Sequence, residues 1–530
     1  MAHAVSSLAL LSLLCFGVVH AHFDEQLFLR PLDDNRVLAK FQFITQVDGE
    51  AASSADESLF PRAIAQIMEA YDVAELHLSL TLGTWMHDRW GYAIGQDAAG
   101  SGAELWARLK TNGESVDQRW RGLVQATGGL FCASLNFIDE ASTLTPQLSF
   151  QSTHDAGGKR NRWQTELRYG VLPRENVCTE NLTPWIKQLP CQSKAGIATL
   201  LNTQHIYRSS YHSVALHVNY SNQLREIKQT AVSVLESVNV EGKQGRPRWS
   251  MYNSLERRVP GACPVARNST IVVELPNNME PLLTRTSTRM EVTDAAATTA
   301  IFDMIAGADV GFHWENVRVF TGTLWLAFAH ALTWGISILD GTGDHGKLVL
   351  EVENRLATSV DATLFQTTPW YMKLFLHSMQ ATLVDAQHSS PQTASDAIVQ
   401  QLYLPSADRR RPTALEMKLR LPAESKLRLI ISFDKSFLKY TEYPPDANRG
   451  FDVGPAVLTV DAVAEEANTS RIVGTRLYTE PFLLSLPTPD FSMPYNVITL
   501  TCTVVALFFG SMFNLLTRHF EPIVWREKTA

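Results

Sequence analysis

Leu415-Glu416-Met417-Lys418-Leu419-Arg420-Leu421 sets an apolar residue at every odd position and a charged one at every even position. Side chains on a strand point alternately to its two faces, so this run offers one face to a core and one to water. Such a strand belongs in an antiparallel sheet covered on one side. Pro422-Ala423-Glu424-Ser425 then turns the chain into a second apolar run at 427–433. Short apolar strands are also predicted at 270–275 and 347–353, and beyond about residue 205 the period is two. Pro and polar clusters at 386–395 and 404–412 read as surface loops. The expected fold of the second half, residues 261–496, is an antiparallel β-sandwich.

Upstream the pattern changes. Residues 58–71 carry Ile64, Ile67, Met68 and Tyr71 on one stripe at helical spacing. Residues 115–125 do the same with Val116, Trp120, Leu123 and Val124. Between them Leu76, Leu78, Leu80 and Leu82 alternate as in a strand. Residues 22–260 are therefore expected to form a mixed α+β domain. Trp85, Trp90, Trp106 and Trp120 cluster here, and a packed core explains them more simply than a carbohydrate site.

The two ends point to a membrane. Residues 8–19 (LALLSLLCFGVV) form an uncharged apolar run too short to span a bilayer, and small residues Val19 and Ala21 precede a cleavage position. This predicts a signal peptide at 1–21. Residues 497–516 (VITLTCTVVALFFGSMFNLL) carry no charge over a length that crosses ~30 Å of hydrocarbon. Arg518, Arg526 and Lys528 follow, so the tail at 517–530 is predicted to be cytosolic and the bulk of the chain luminal, a single-pass type I arrangement. A lipid-anchor attachment signal would have no polar tail after its apolar run. A second apolar run at 319–339, interrupted by His330, reads either as a further span or as buried strand or helix.

The chain has 530 residues, 46 basic against 54 acidic, for a formal charge of −8. No clustered basic runs answer to phosphate, which excludes a nucleic-acid partner. A mean hydropathy of −0.07 excludes many spans but not one or two. Cys15 leaves with the signal peptide and Cys502 lies in the span, leaving Cys132, Cys178, Cys191 and Cys263 in an oxidising compartment. Three internal pairings are open to them. Asn181, Asn219, Asn268 and Asn468 begin N-glycosylation sequons, the first made a poorer acceptor by Pro184.

Catalytic motifs are absent: there is no HExxH, CxxC, GxSxG or phosphate-binding loop. Gly341-Thr342-Gly343-Asp344-His345-Gly346 matches GxGxxG, but a strand pattern follows where a dinucleotide site needs a helix, so it reads as a turn. His205, His212 and His217 lie close in sequence, yet 212 and 217 fall on opposite faces of one strand, so no metal site is expected. No cofactor and no catalytic residue is predicted.

Residues 167–191 (LRYGVLPRENVCTENLTPWIKQLPC) and 476–496 (RLYTEPFLLSLPTPDFSMPYN) resemble the PIG-T family of GPI transamidase subunits. Weaker similarity lies at 128–139 (GGLFCASLNFID) and 441–451 (TEYPPDANRGF), and the resemblance runs from about residue 24 to 517. The chain departs from the family at 319–346, where the family is more polar. The resemblance implies a non-catalytic scaffold in the endoplasmic-reticulum membrane. Its complex replaces the C-terminal signal of a precursor protein with a GPI lipid, and its catalytic Cys and His lie on the caspase-like subunit PIG-K. It also implies the partners PIG-S, PIG-U and GPAA, and a disulfide to PIG-K that falls on Cys178. An interchain bridge there leaves three luminal cysteines, so at least one more remains free or pairs outside. Tyr495 and Asn496 then stand where the chain enters the membrane, as an interfacial anchor or a contact to the lipid headgroup. Two rival readings stay open from the residues alone: an independent luminal hydrolase or transferase, and a cell-surface β-sandwich receptor.

Overall fold

A computed structural model of the chain describes residues 21–523 apart from internal stretches, the longest being 49–58, 152–164, 237–247, 314–331 and 464–473. The strands of the first half are β1 (Ala21–Pro31), β2 (Val37–Asp48), β3 (Val73–Leu82), β4 (Gly102–Lys110), β5 (Thr165–Leu172), β6 (His212–Tyr220) and β7 (Leu224–Leu235). After the short β8 (Arg248–Ser250) come β9 (Asn268–Pro276), β10 (Pro281–Leu283), β11 (Arg289–Asp294), β12 (Ala297–Asp303) and β13 (Val310–His313). Ten of these form one sheet in the order β11-β12-β9-β1-β2-β7-β6-β3-β4-β5, and β10, β13 and β8 form a small second one. Neighbours in the large sheet are antiparallel except β1 and β9, which run parallel with Asp24 opposite Asn268. The sheet thus takes in β9, β11 and β12, which follow residue 260 in the chain.

Helices cover this sheet. In α1 (Arg62–Ala70), Ile64 and Met68 are buried, as the stripe at 58–71 predicts. In α2 (Val116–Phe131), Trp120, Leu123 and Val124 are buried. That helix runs six residues past the predicted end, through Gly128 and Gly129. Packing offsets the glycine penalty there: at Gly128 a Cβ would sit 3.0 Å from the Ala133 carbonyl, so the close return of the chain favours a residue without one. Trp85, Trp90, Trp106 and Trp120 are all buried, as expected of core residues.

The rest of the chain is almost all strand: β14 (Leu332–Asp340), β15 (His345–Asn354), β16 (Val360–Thr368), β17 (Met372–Asp385), β18 (His388–Thr393), β19 (Ile398–Leu404), β20 (Thr413–Leu421), β21 (Ser425–Lys435), β22 (Phe451–Val453), β23 (Val457–Val463), β24 (Arg476–Tyr478) and β25 (Phe482–Leu484). They form two five-stranded sheets, β14-β15-β21-β17-β18 and β19-β20-β16-β23-β24, and the β22–β25 pair. In β20, Leu415, Met417, Leu419 and Leu421 are buried while Lys418 and Arg420 are exposed, as the alternation demands. Glu416 breaks the pattern, because it is only 4% exposed.

One expectation changes, and one choice between stated readings is decided for the residues described. Residues 388–393 are not loop but the edge strand β18, and an edge position tolerates Pro391 because its missing N–H need serve no neighbour. The end of the 319–339 run is β14, paired with β15 along its length, so those residues are neither helix nor span. Residues 319–331 lie outside the described residues, as do 1–20 of the signal peptide. Of the GxGxxG segment, 341–342 lie outside the described residues; Gly343 has φ +115°, and His345 and Gly346 already belong to β15, a strand where a nucleotide cradle needs a helix.

The described residues up to Ser436, with Phe451–Leu484, form one compact unit; Phe437–Gly450 and the residues from Ser485 onward form another. The second unit contains α4 (Ser492–Thr517). Within it Tyr495–Thr517, of mean hydropathy 1.8, is the one helix among the described residues long and apolar enough to cross a membrane. The protein is mostly β, with this single helix of membrane-crossing character near its C-terminus.

Candidate functional site

Of the four described cysteines outside α4, two pair and two do not. Cys191 and Cys263 form a disulfide with Cα atoms 6.0 Å apart. Glu25 of β1 holds both strands of the covalent loop: its carboxylate accepts from the N–H groups of Cys263 (3.3 Å) and Ile197 (3.1 Å) and from the Ser269 hydroxyl (2.5 Å). Burial raises the Glu25 pKa against these three donors, which favour the charged form. Gly196, at φ +75°, is required beside it, since a Cβ would fall 2.4 Å from the carboxylate oxygens.

Cys132 and Cys178 are free and exposed. Cys132 ends α2 in the left-handed region at φ 53°, a common way for a helix to stop. Cys178 is the N-cap of α3 (Thr179–Lys187), extended at φ −142°. One side chain joins the two ends. The Asn181 oxygen accepts from the Cys178 N–H at 2.8 Å, and its amide nitrogen donates to the Phe131 and Cys132 carbonyls, both at 3.0 Å. Asn181 therefore satisfies orphan groups at the end of one helix and the start of the next. Trp185 fastens α3 to the large sheet by donating to the Ala215 carbonyl of β6 at 3.1 Å, and Gln229 of β7 donates to the Trp185 carbonyl at 3.0 Å. The thiols thus stand on a rigid base and face solvent, a geometry suited to a bond with another chain.

The remaining predicted residues are spread out. Asn181 is completely buried with its amide committed, which leaves no room for a glycan. Asn219 is half-buried within β6, Asn268 is exposed at the start of β9, and Asn468 lies outside the described residues. Tyr495 and Asn496 are exposed at the start of α4. The three histidines do not converge: His205 meets Glu256 at 3.3 Å, His217 faces His77 and Trp106, and His212 is buried against Tyr207. Among the described residues no three His, Cys, Asp or Glu side chains gather as metal ligands. Tyr207 links His212 to the thiol region, and its hydroxyl pKa is raised by burial and by Cys178. Sequence reasoning passed over Asn181 as a clasp, although an asparagine three residues after an N-cap is a capping-box position.

Comparison with known proteins agrees with the motifs. The family described as "Gpi16 subunit, GPI transamidase component" matches residues 7–245 and 239–530. The "GPI-anchor transamidase component PIGT" of Mus musculus is 37% identical over 541 residues, covering 94% of this chain and 90% of the relative. Its Homo sapiens counterpart is 36% identical over 539 residues with the same coverage. The "GPI transamidase component GPI16" of Saccharomyces cerevisiae is 32% identical over 560 residues, 96% of this chain and 90% of the relative.

Proposed function

The chain belongs to the Gpi16 family of GPI transamidase components, and from that membership we propose that it is the scaffold that holds the catalytic subunit of the complex by a covalent tether. In this reading the caspase-like subunit, PIG-K, carries the Cys and His that perform the chemistry. This chain supplies Cys178 for an interchain disulfide and surfaces for PIG-S, PIG-U and GPAA. The GPI lipid and the precursor protein are substrates of the whole complex. The observation that carries the proposal is Cys178 itself: it is exposed and unpaired while Cys191 and Cys263 pair. A tether of this kind makes re-association intramolecular and raises the local concentration of the partner well beyond what a modest interface supplies.

The rest of the reading follows from the same premise. The chain is type I in the endoplasmic-reticulum membrane, with α4 as its span and both large β regions in the lumen. The two five-stranded sheets are the layers of a β-sandwich, since the chain passes from one to the other between β15 and β16, β16 and β17, and β20 and β21. Tyr495 anchors the start of the span at the interface, with Asn496 beside it, and Asn268 is the best-exposed described glycosylation acceptor.

Electrophoresis of the membrane-extracted protein without and with reductant, wild type beside Cys178→Ser, tests the tether. A heavier band that collapses on reduction and is missing from the mutant is the expected result. Monomer bands in every lane would remove the bridge and return weight to an independent luminal enzyme or receptor.

A further inference from the structure

We propose that Phe137 is the docking anchor for the same partner subunit that Cys178 tethers, so that the thiol and an exposed aromatic ring form one interface. The proposal rests on the tether reading for the identity of the occupant.

Phe137 is 68% exposed, although its neighbours Leu135 and Ile138 are at 0% and 3%. An aromatic ring left in water between two buried aliphatic neighbours loses the apolar transfer energy that a partner would return. The turn is fixed from several sides. The Ser134 N–H donates to Glu175 at 2.7 Å, and Trp120 donates to the Thr143 hydroxyl at 3.0 Å. Leu144 exchanges two backbone hydrogen bonds with Tyr169 of β5, at 2.8 and 2.9 Å. Ile138 fills the notch at Gly170, where a Cβ would fall 2.4 Å from its methyl carbon. A ring carried on a turn fixed this way leaves little backbone entropy to be lost on binding, which is what makes an anchor effective.

The turn is tied to the thiol-bearing segments by hydrogen bonds. Glu175, which holds Ser134, lies three residues before Cys178, and Asn181 joins Cys178 to Cys132. Asp139 and Glu140 are exposed around the ring, and Glu140 pairs with Arg121. An apolar centre with a charged rim is the layout of a protein interface, and the acidic rim disfavours an anionic lipid surface. The adjacent free thiol selects a protein chain that presents its own cysteine beside an apolar pocket.

The test uses the tagged full-length chain expressed with the other subunits of its complex. Phe137→Asp, Phe137→Ala and Phe137→Tyr are compared with wild type, each also in a Cys178→Ser background. Two quantities are read: the fraction of chain in the reduction-sensitive heavier band, and the catalytic subunit recovered with the tag in mild detergent. Asp and Ala should lower both by about tenfold or more, and Tyr should retain them. In the Cys178→Ser background Asp and Ala should still lower recovery. An intact Cys191–Cys263 bridge and wild-type resistance to limited proteolysis identify the variants that fold, with Ala serving if Asp does not. Wild-type band formation and recovery in folded Asp or Ala variants would overturn the proposal. Absence of the band from wild type would sink the tether alone, and recovery in the same variants would still decide for or against Phe137.

Discussion

His212 shows how one buried side chain sets the acid limit of the site. Both ring nitrogens are buried without a hydrogen-bond partner, and the ring meets Tyr207 edge-on at 4.5 Å. Burial lowers its pKa from 6.5 to about 4. The unfolded chain therefore binds a proton that the folded chain refuses between those values, so stability is full above pH 6.5 and falls as pH drops toward 4. The loss amounts to roughly 3 kcal/mol at most. His212→Phe keeps a ring against Tyr207 and removes the proton. Urea denaturation of the detergent-solubilised chain across this pH range should show a flatter profile for the variant than for wild type, and identical profiles would refute the assignment. Since Tyr207 reaches from His212 toward Cys178, acid should loosen the ground under the thiol before it unfolds the whole sheet.

At the scale of elements, the join between α2 and α3 depends on Asn181 more than on either helix. Replacing it by Ala strands the Cys178 N–H and two carbonyls near the protein interior, and each unmet group costs about 1–3 kcal/mol. A net loss of about 3 kcal/mol is expected for Asn181→Ala, measured as a lower denaturation midpoint. Asn181→Asp should do no better, because a carboxylate can accept from Cys178 but meets two carbonyl oxygens with no hydrogen to offer. A near-neutral Asp would show that the clasp is not what holds the helices. Elements themselves were legible in sequence wherever the cause is local. The stripe Ile64–Met68 and the alternation from Leu415 to Leu421 are set by backbone period, which a few residues display. The end of α2 was not legible, because Ala133 returning onto Gly128 decides it from outside the helix. Nor was the edge strand β18, whose polar sequence carries no alternation and whose partner β17 supplies the hydrogen bonds. The exposed Cys178 could be singled out through the family motif, whereas its support by Asn181 and its nearness to the Phe137 turn depend on contacts between separate helices and loops.

At the scale of the compact unit, its sheets are sewn together by buried carboxylates. Glu104 of β4 accepts from Tyr169 of β5 at 3.1 Å and from Tyr478 of β24 at 3.0 Å, so it bridges the ten-stranded sheet to the β19–β24 sheet. Burial raises its pKa, opposed by Arg476 and by the two tyrosine hydroxyls. Arg476 lies over the Phe150 ring at 4.8 Å, and Trp106, Phe150, Tyr169 and Phe365 pack in one cluster with residues of both sheets. Glu416 makes the second stitch. From β20 it accepts the backbone N–H groups of Gln147 (2.7 Å), Leu148 (2.8 Å) and Ser149 (2.8 Å), which is why it is buried where its neighbours Lys418 and Arg420 are not. Three charge-assisted bonds to one carboxylate make this the costliest single truncation on the seam. Glu416→Ala leaves three donors unmet and should cost roughly 3 kcal/mol or more, with Glu416→Gln intermediate because its one carbonyl oxygen carries no charge. The variant should also expose the 145–151 segment to limited proteolysis ahead of global unfolding. Cys178 stands on α3, which Trp185 fastens to the large sheet away from that seam, so its labelling by maleimide should stay at the wild-type level. Equal stability and equal proteolysis in the two variants and wild type would mean that apolar packing alone holds the sheets together. A split between weakened seam and intact thiol would instead show that the carboxylate seam and the ground under α3 are separate parts of the compact unit, each with its own stability.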